Sequence, residues 1–111
     1  MAQAIEKSNW AAYCERISEA LQGGQAEIEV ASLALGHQIE ADYLPLIGIS
    51  YDPKDDIIDI ALDGVDHIIS HPRELRADGE FADLSALEII DKDGIQHLVR
   101  LKGSLALPAP H

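Results

Sequence analysis

The stretch Ile57-Ile-Asp-Ile-Ala-Leu-Asp-Gly-Val-Asp-His-Ile-Ile-Ser-His71 decides the fold class. Its first half alternates, with Ile58, Ile60 and Leu62 on one side and Asp59, Ala61 and Asp63 on the other. A period of two belongs to a strand with one face in a core and the other in water. Gly64 supplies a reversal, after which Val65, His67, Ile69 and His71 resume the alternation. Two strands joined by so short a link form an antiparallel hairpin. The hairpin is bounded by a turn at Asp52-Pro-Lys-Asp-Asp56 and by Pro72, which is read as the strand end.

Working outward from this hairpin, Leu44 to Tyr51 reads as a preceding strand with Pro45 near its start, where a missing N–H costs least. Further upstream Ile28, Val30 and Ser32 alternate with Glu27, Glu29 and Ala31, a strand with one solvated face. Before it the period changes: Trp10, Tyr13, Cys14, Ile17 and Leu21 line one face of a helix. Ser8 is the expected N-cap, and the Gly23-Gly24 pair can supply a left-handed C-terminal cap.

Downstream, Arg73 to Asp83 is polar and contains Gly79, so it reads as a loop or weak extended stretch, with the isolated Phe81 as a plug holding it to the body or, second, as an exposed contact for a partner. Leu84 to Ile90 and Ile95 to Leu101 flank the turn Asp91-Lys-Asp-Gly94, a second hairpin. Past Gly103, Pro108 and Pro110 forbid ladder bonds, so a frayed or extended tail is expected. The expectation is an α+β fold: an N-terminal amphipathic helix, Ser8 to Leu21, packed on a curved, mostly antiparallel sheet of about five or six strands. Residues 1–7 form a leading segment, 8–103 one domain and 104–111 the tail.

With 111 residues and 47% hydrophobic side chains the chain can bury one core. Twenty acidic residues against eight Lys and Arg give a net charge of -12. Phosphate backbones and anionic membrane surfaces repel such a chain, which argues against nucleic-acid and membrane partners. Its complement is a basic protein or peptide, and a free sheet edge offers a second copy of the chain as another partner. The single cysteine, Cys14, permits no internal disulfide and points to a reducing compartment, so a cytoplasmic location is expected. Cys14 lies on the apolar helical face, where a thiol acts as a small hydrophobe.

Two groups of residues are candidates for function. Asp52, Asp55, Asp56, Asp59, Asp63 and Asp66 crowd one segment whose only cation is Lys54. Turn chemistry and a solvated strand face account for them, and an interaction surface is the functional alternative. His67, His71 and His97 are the candidate ligand or metal region. On a strand His67 and His71 stand about 13 Å apart, too far to share a metal without a bend. His97 shares a face with Ile95, Val99 and Leu101 and would approach His67 if their strands pair. No nucleophile elbow, phosphate loop, dinucleotide fingerprint or Cys-x-x-Cys pair is present, so neither an enzyme nor a cofactor is expected.

Several pieces in this order resemble a small uncharacterised bacterial family, of the domain of unknown function 5335 type. They are Trp10 in an amphipathic first helix, Glu27-Ile-Glu-Val30, Leu44-Pro-Leu-Ile-Gly48, Asp55-Asp-Ile-Ile58, Asp66-His67 leading to His71-Pro72, and Ala86-Leu-Glu-Ile89 with Asp93-Gly94. The resemblance spans nearly the whole domain and implies a fold and a bacterial origin, with no known activity and no catalytic residues to carry over. The functional expectation is a non-catalytic protein-interaction or regulatory domain with an acidic face; the alternative is a small-ligand or metal binder at His67, His71 and His97.

Overall fold

The computed structural model describes residues 3–34, 36–79 and 83–102. A two-residue strand β1 (Gln3–Ala4) and a short 3-10 turn (Lys7–Asn9) lead into the helix α1 (Trp10–Ala20). Seven strands follow: β2 (Gln25–Ser32), β3 (Gly36–Asp52), β4 (Ile57–Leu62), β5 (Val65–Ser70), β6 (Pro72–Asp78), β7 (Ala86–Asp91) and β8 (Gln96–Lys102). They form one open sheet of eight strands, in the order β1-β6-β7-β8-β2-β3-β4-β5, with every ladder antiparallel.

The fold class is therefore α+β as expected, but the sheet has eight strands, not five or six. The two added strands, β1 and β6, and the longer β3 have distinct causes. Pro72 does not end a strand; it starts β6, and its buried ring sits on the same side as Leu75 and Ala77. Proline is tolerated at a first strand position, and with only two further small apolar contributions the alternation hides among Arg73, Glu74, Arg76 and Asp78. β1 is too short to show a period at all. β3 begins at Gly36, well before Leu44, because residues 36–40 pair with β2 through the backbone while staying exposed. Pairing without burial leaves no hydrophobic pattern to read.

The sheet must curl. β5 and β6 lie far apart in the strand order, yet only His71 separates them in the chain. One residue bridges no more than a few ångströms. β3 makes the bend: its first part, to Pro45, pairs with β2, and its second part, Leu46 to Asp52, pairs with β4. Tyr43 takes a positive φ of 47° just before the change of partner, and ladder irregularities flank it on β2 and after Leu46. Such irregularities bend strands and sharpen their twist.

After the bend, no strand among the described residues lies along one edge of β3, and α1 fills the place. Trp10, Cys14, Ile17 and Leu21 are buried beneath it, with Trp10 edge-on to Tyr51 at 5.1 Å between ring centres. Ser18 Oγ accepts the N–H of Ile49 (2.8 Å) and lies 2.7 Å from the Ile49 carbonyl and 2.8 Å from that of Cys14, its one proton shared between them. A serine hydroxyl thus replaces the strand that would otherwise satisfy Ile49. The inward residues Ile28, Ile58, Ile60, Ile89 and Val99 are fully buried, each stabilising the fold by about 1.5–3 kcal/mol relative to exposure.

The helix ends differ from expectation in one respect. Ser8 falls inside the 3-10 turn, and Asn9 stands at the N-cap position without a side-chain cap bond. Instead the entry is held by Trp10 Nε1–H, which donates to the Ile5 carbonyl at 2.8 Å. The C-terminal glycines behave as read: Gly23 has φ 84° and Gly24 N–H returns to the Leu21 carbonyl. Phe81 and the tail past Gly103 lie outside the described residues.

Candidate functional site

The β3–β4–β5 unit carries the six aspartates, and the fold distributes them among three environments. Asp52 and Asp55 are exposed at one end and Asp63 at the other, with the length of β4, about 20 Å, between them. Asp59 and Asp66 lie between these ends on the outward face, diagonal to one another because Ala61 is the register partner of Asp66. Burial, and then the adjoining Asp66 carboxyl, push Asp59 up to about 6. Its Oδ1 is buried and has no hydrogen-bond partner among the described residues. A proton held between the two carboxyls relieves both their repulsion and their desolvation.

Asp56 is not a free surface acid. Tyr51 donates to its Oδ1 at 2.7 Å, Lys7 Nζ stands 3.1 Å from the same oxygen, and His71 Nδ1 lies 3.3 Å from Oδ2. The Asp56 carbonyl accepts the His71 N–H at 2.9 Å. Tyr51 foremost, with Lys7 and His71, holds the Asp56 carboxyl below its ordinary value against the opposing effect of burial. Burial and the bond to Asp56 raise the Tyr51 phenol to about 12. Asp56 and His71 both sit at positive φ, 55° and 53°. This cluster ties the N-terminal segment, the β3–β4 turn and the β5–β6 junction together, which explains the two unfavourable backbone conformations. Nothing in the sequence marks Lys7 or Tyr51 as members of it.

The histidines divide likewise. His71 turns to Asp56, whereas His67 and His97 meet, with His67 Nε2 3.0 Å from His97 Nδ1. They meet across the core rather than along a ladder, since β5 and β8 are not neighbours. His97 is buried, and its Nε2 lies 3.0 Å from Asp91 Oδ2. Asp91 Oδ1 accepts the N–H groups of Asp93 and Ile95 at 2.9 and 3.1 Å. Burial by itself would raise the Asp91 carboxyl, but His97 and these two amides outweigh it and hold the group below its ordinary value. Burial lowers His67, the His97 imidazole lowers it further, and the Glu40 carboxylate partly opposes both. Among the described residues no group of three or more His, Cys, Asp or Glu side chains is placed to hold a metal ion.

A model of a family of unknown function, DUF5335, matches residues 1–110. The chain belongs to the DUF5335 family. A bacterial relative, an uncharacterized protein of Aquifex aeolicus (strain VF5), is 36% identical over 107 residues, covering 96% of each chain. No solved structure matches.

Elsewhere in this DUF5335 member, two acidic side chains share one cation. Arg100 bridges Glu27 at 2.7 Å and Glu29 at 2.8 Å, so β8 offsets part of the charge on the outward glutamates of β2. Burial pushes the Cys14 thiol up to about 12, in keeping with its expected place on the buried helical face. Among the described residues no helix is long and apolar enough to cross a membrane.

Proposed function

We propose that this DUF5335 chain is a non-catalytic protein-interaction domain that takes an extended basic segment along β5. The observation that carries the reading is the position of β5: among the described residues it ends the sheet, with a ladder to β4 only. An edge strand offers alternate N–H and C=O groups to an incoming strand. The outward face beside that edge presents Asp66, Ile68 and Ser70, with Ile68 46% exposed despite being a large apolar side chain. Asp59 lies diagonal to Asp66, and Asp63 caps the end of the hairpin. A strand with cations at alternate positions would match this row, since side chains recur on one face every second residue. A second copy of the chain fits less well, because two such edges would bring like charges together.

The ligand or metal alternative at His67, His71 and His97 keeps only two of its three residues in contact, which is why it ranks second. The docking reading is tested with a short peptide alternating Lys and Val, by fluorescence anisotropy. Binding is expected to weaken steeply between about 50 and 500 mM salt and to fail with Asp66→Lys or Ile68→Lys. A peptide alternating Glu and Val should not bind. Equal binding of both peptides, or none by the Lys peptide at low salt, refutes the reading.

A further inference from the structure

The bonds among Asp91, His97 and His67 leave little choice of protonation state. Asp91 is a carboxylate that accepts two backbone N–H groups on Oδ1, so its Oδ2 also accepts, and His97 Nε2 must be the donor. A neutral His97 protonated at Nε2 has only a lone pair at Nδ1. His67 Nε2 therefore donates to it, and a neutral His67 carries its lone pair on Nδ1. One carboxylate at the end of β7 thus sets the tautomer of two imidazoles in succession. Along the hydrogen bonds the direction is uniform, from His67 through His97 to Asp91.

We propose that this chain is a proton-sensitive latch, holding β5 against β8 until both imidazoles are protonated and then releasing it. A single proton leaves the latch intact wherever it enters: with it at His67 Nδ1, Nε2 still donates to His97, and with it at His97 Nδ1, that N–H donates to His67 Nε2 once the His67 proton has moved to Nδ1. A second proton must take the lone pair that remains between the two rings. The two rings, with centres 5.1 Å apart, then present a donor to a donor and a cation to a cation. Only separation resolves that contact. β5 is suited to yield, since it is an edge strand held by one ladder.

The surroundings of His67 bear on the threshold. From β4 it faces Ile60, its register partner; from β8, His97; from β3, the Glu40 carboxylate, which favours charge on His67; and behind His97 stands Asp91. On β2, Val30 is the register partner of His97 and contributes no charge. The latch does not depend on any partner at β5.

Nitrogen-15 imidazole spectra and amide hydrogen exchange of the full chain, followed from pH 8 to pH 4, test it. At pH 8 both rings are expected as the Nε2–H tautomer. Once both are charged, exchange of β5 amides should quicken by roughly tenfold or more while α1 and β7 stay protected. In His67→Gln the amide can donate to His97 or, after rotation, accept from it, so β5 should stay protected across the range. Glu40→Gln should move the opening to lower pH. Opening of His67→Gln at the wild-type pH overturns the proposal, as does a wild-type β5 that stays protected with both rings protonated, or an Nδ1–H tautomer at pH 8.

Discussion

Ser18→Ala tests the claim that a helix side chain completes the sheet. In an antiparallel ladder the N–H and C=O of one residue point to the same edge. Those of Ile49 point away from β4, towards α1, where Ser18 Oγ meets both. Removing the oxygen leaves two backbone groups at a half-buried site without a partner. Each unmet group costs about 1–3 kcal/mol, with partial solvent access favouring the lower end. Against this, alanine improves the helix by about 0.5 kcal/mol. The net loss is about 1.5 kcal/mol, a fall of about 6 °C in Tm for a chain of this size. Urea unfolding followed by circular dichroism measures the loss, and exchange of the Ile49 amide should quicken along with it. Ser50→Ala, at the exposed neighbouring position, serves as the control and should change stability by no more than about 0.5 kcal/mol. A Ser18→Ala protein as stable as the wild type, or an Ile49 amide equally protected, refutes the reasoning.

Two further outcomes follow from single residues. Asp59 has a raised value in the folded chain, so folding takes up a proton between the unfolded carboxylate range and about pH 6, and stability is lost as pH rises through that window. Asp59→Asn should therefore stabilise the protein at pH 7.5 and make little difference at pH 4.5; equal gains at both values would show that the Asp59–Asp66 pair does not share a proton. Gly79 has φ 104°, and a Cβ there would lie 2.6 Å from the Asp83 carbonyl oxygen. Gly79→Ala should cost more than about 1 kcal/mol in thermal unfolding, and a neutral result would mean that Gly79 and the Asp83 carbonyl do not stand so close.

What was legible in the sequence is what depends on local periodicity and turn chemistry. The 57–71 hairpin appears as two strands meeting at Gly64, with Ile58, Ile60 and Leu62 buried as their alternation requires. The helix buries Trp10, Cys14, Ile17 and Leu21 on the face that their spacing defines. The turn at Asp91 to Gly94 forms, and the pattern on β8 places His97 inward with Val99. In each case a side chain's burial is decided by neighbours a few positions away, so the pattern survives in the linear order.

The tertiary structure decided the rest. Residues 36–40 pair without being buried, and β6 opens on a proline, so neither leaves a recognisable period. The Asp56 cluster joins Lys7, Tyr51 and His71, and the latch joins Asp91 to two imidazoles on strands that share no ladder. These contacts exist because the bend in β3 folds one half of the sheet over the other. Strand curvature of that kind is a collective result of packing and ladder irregularities, so no single segment of the chain encodes it.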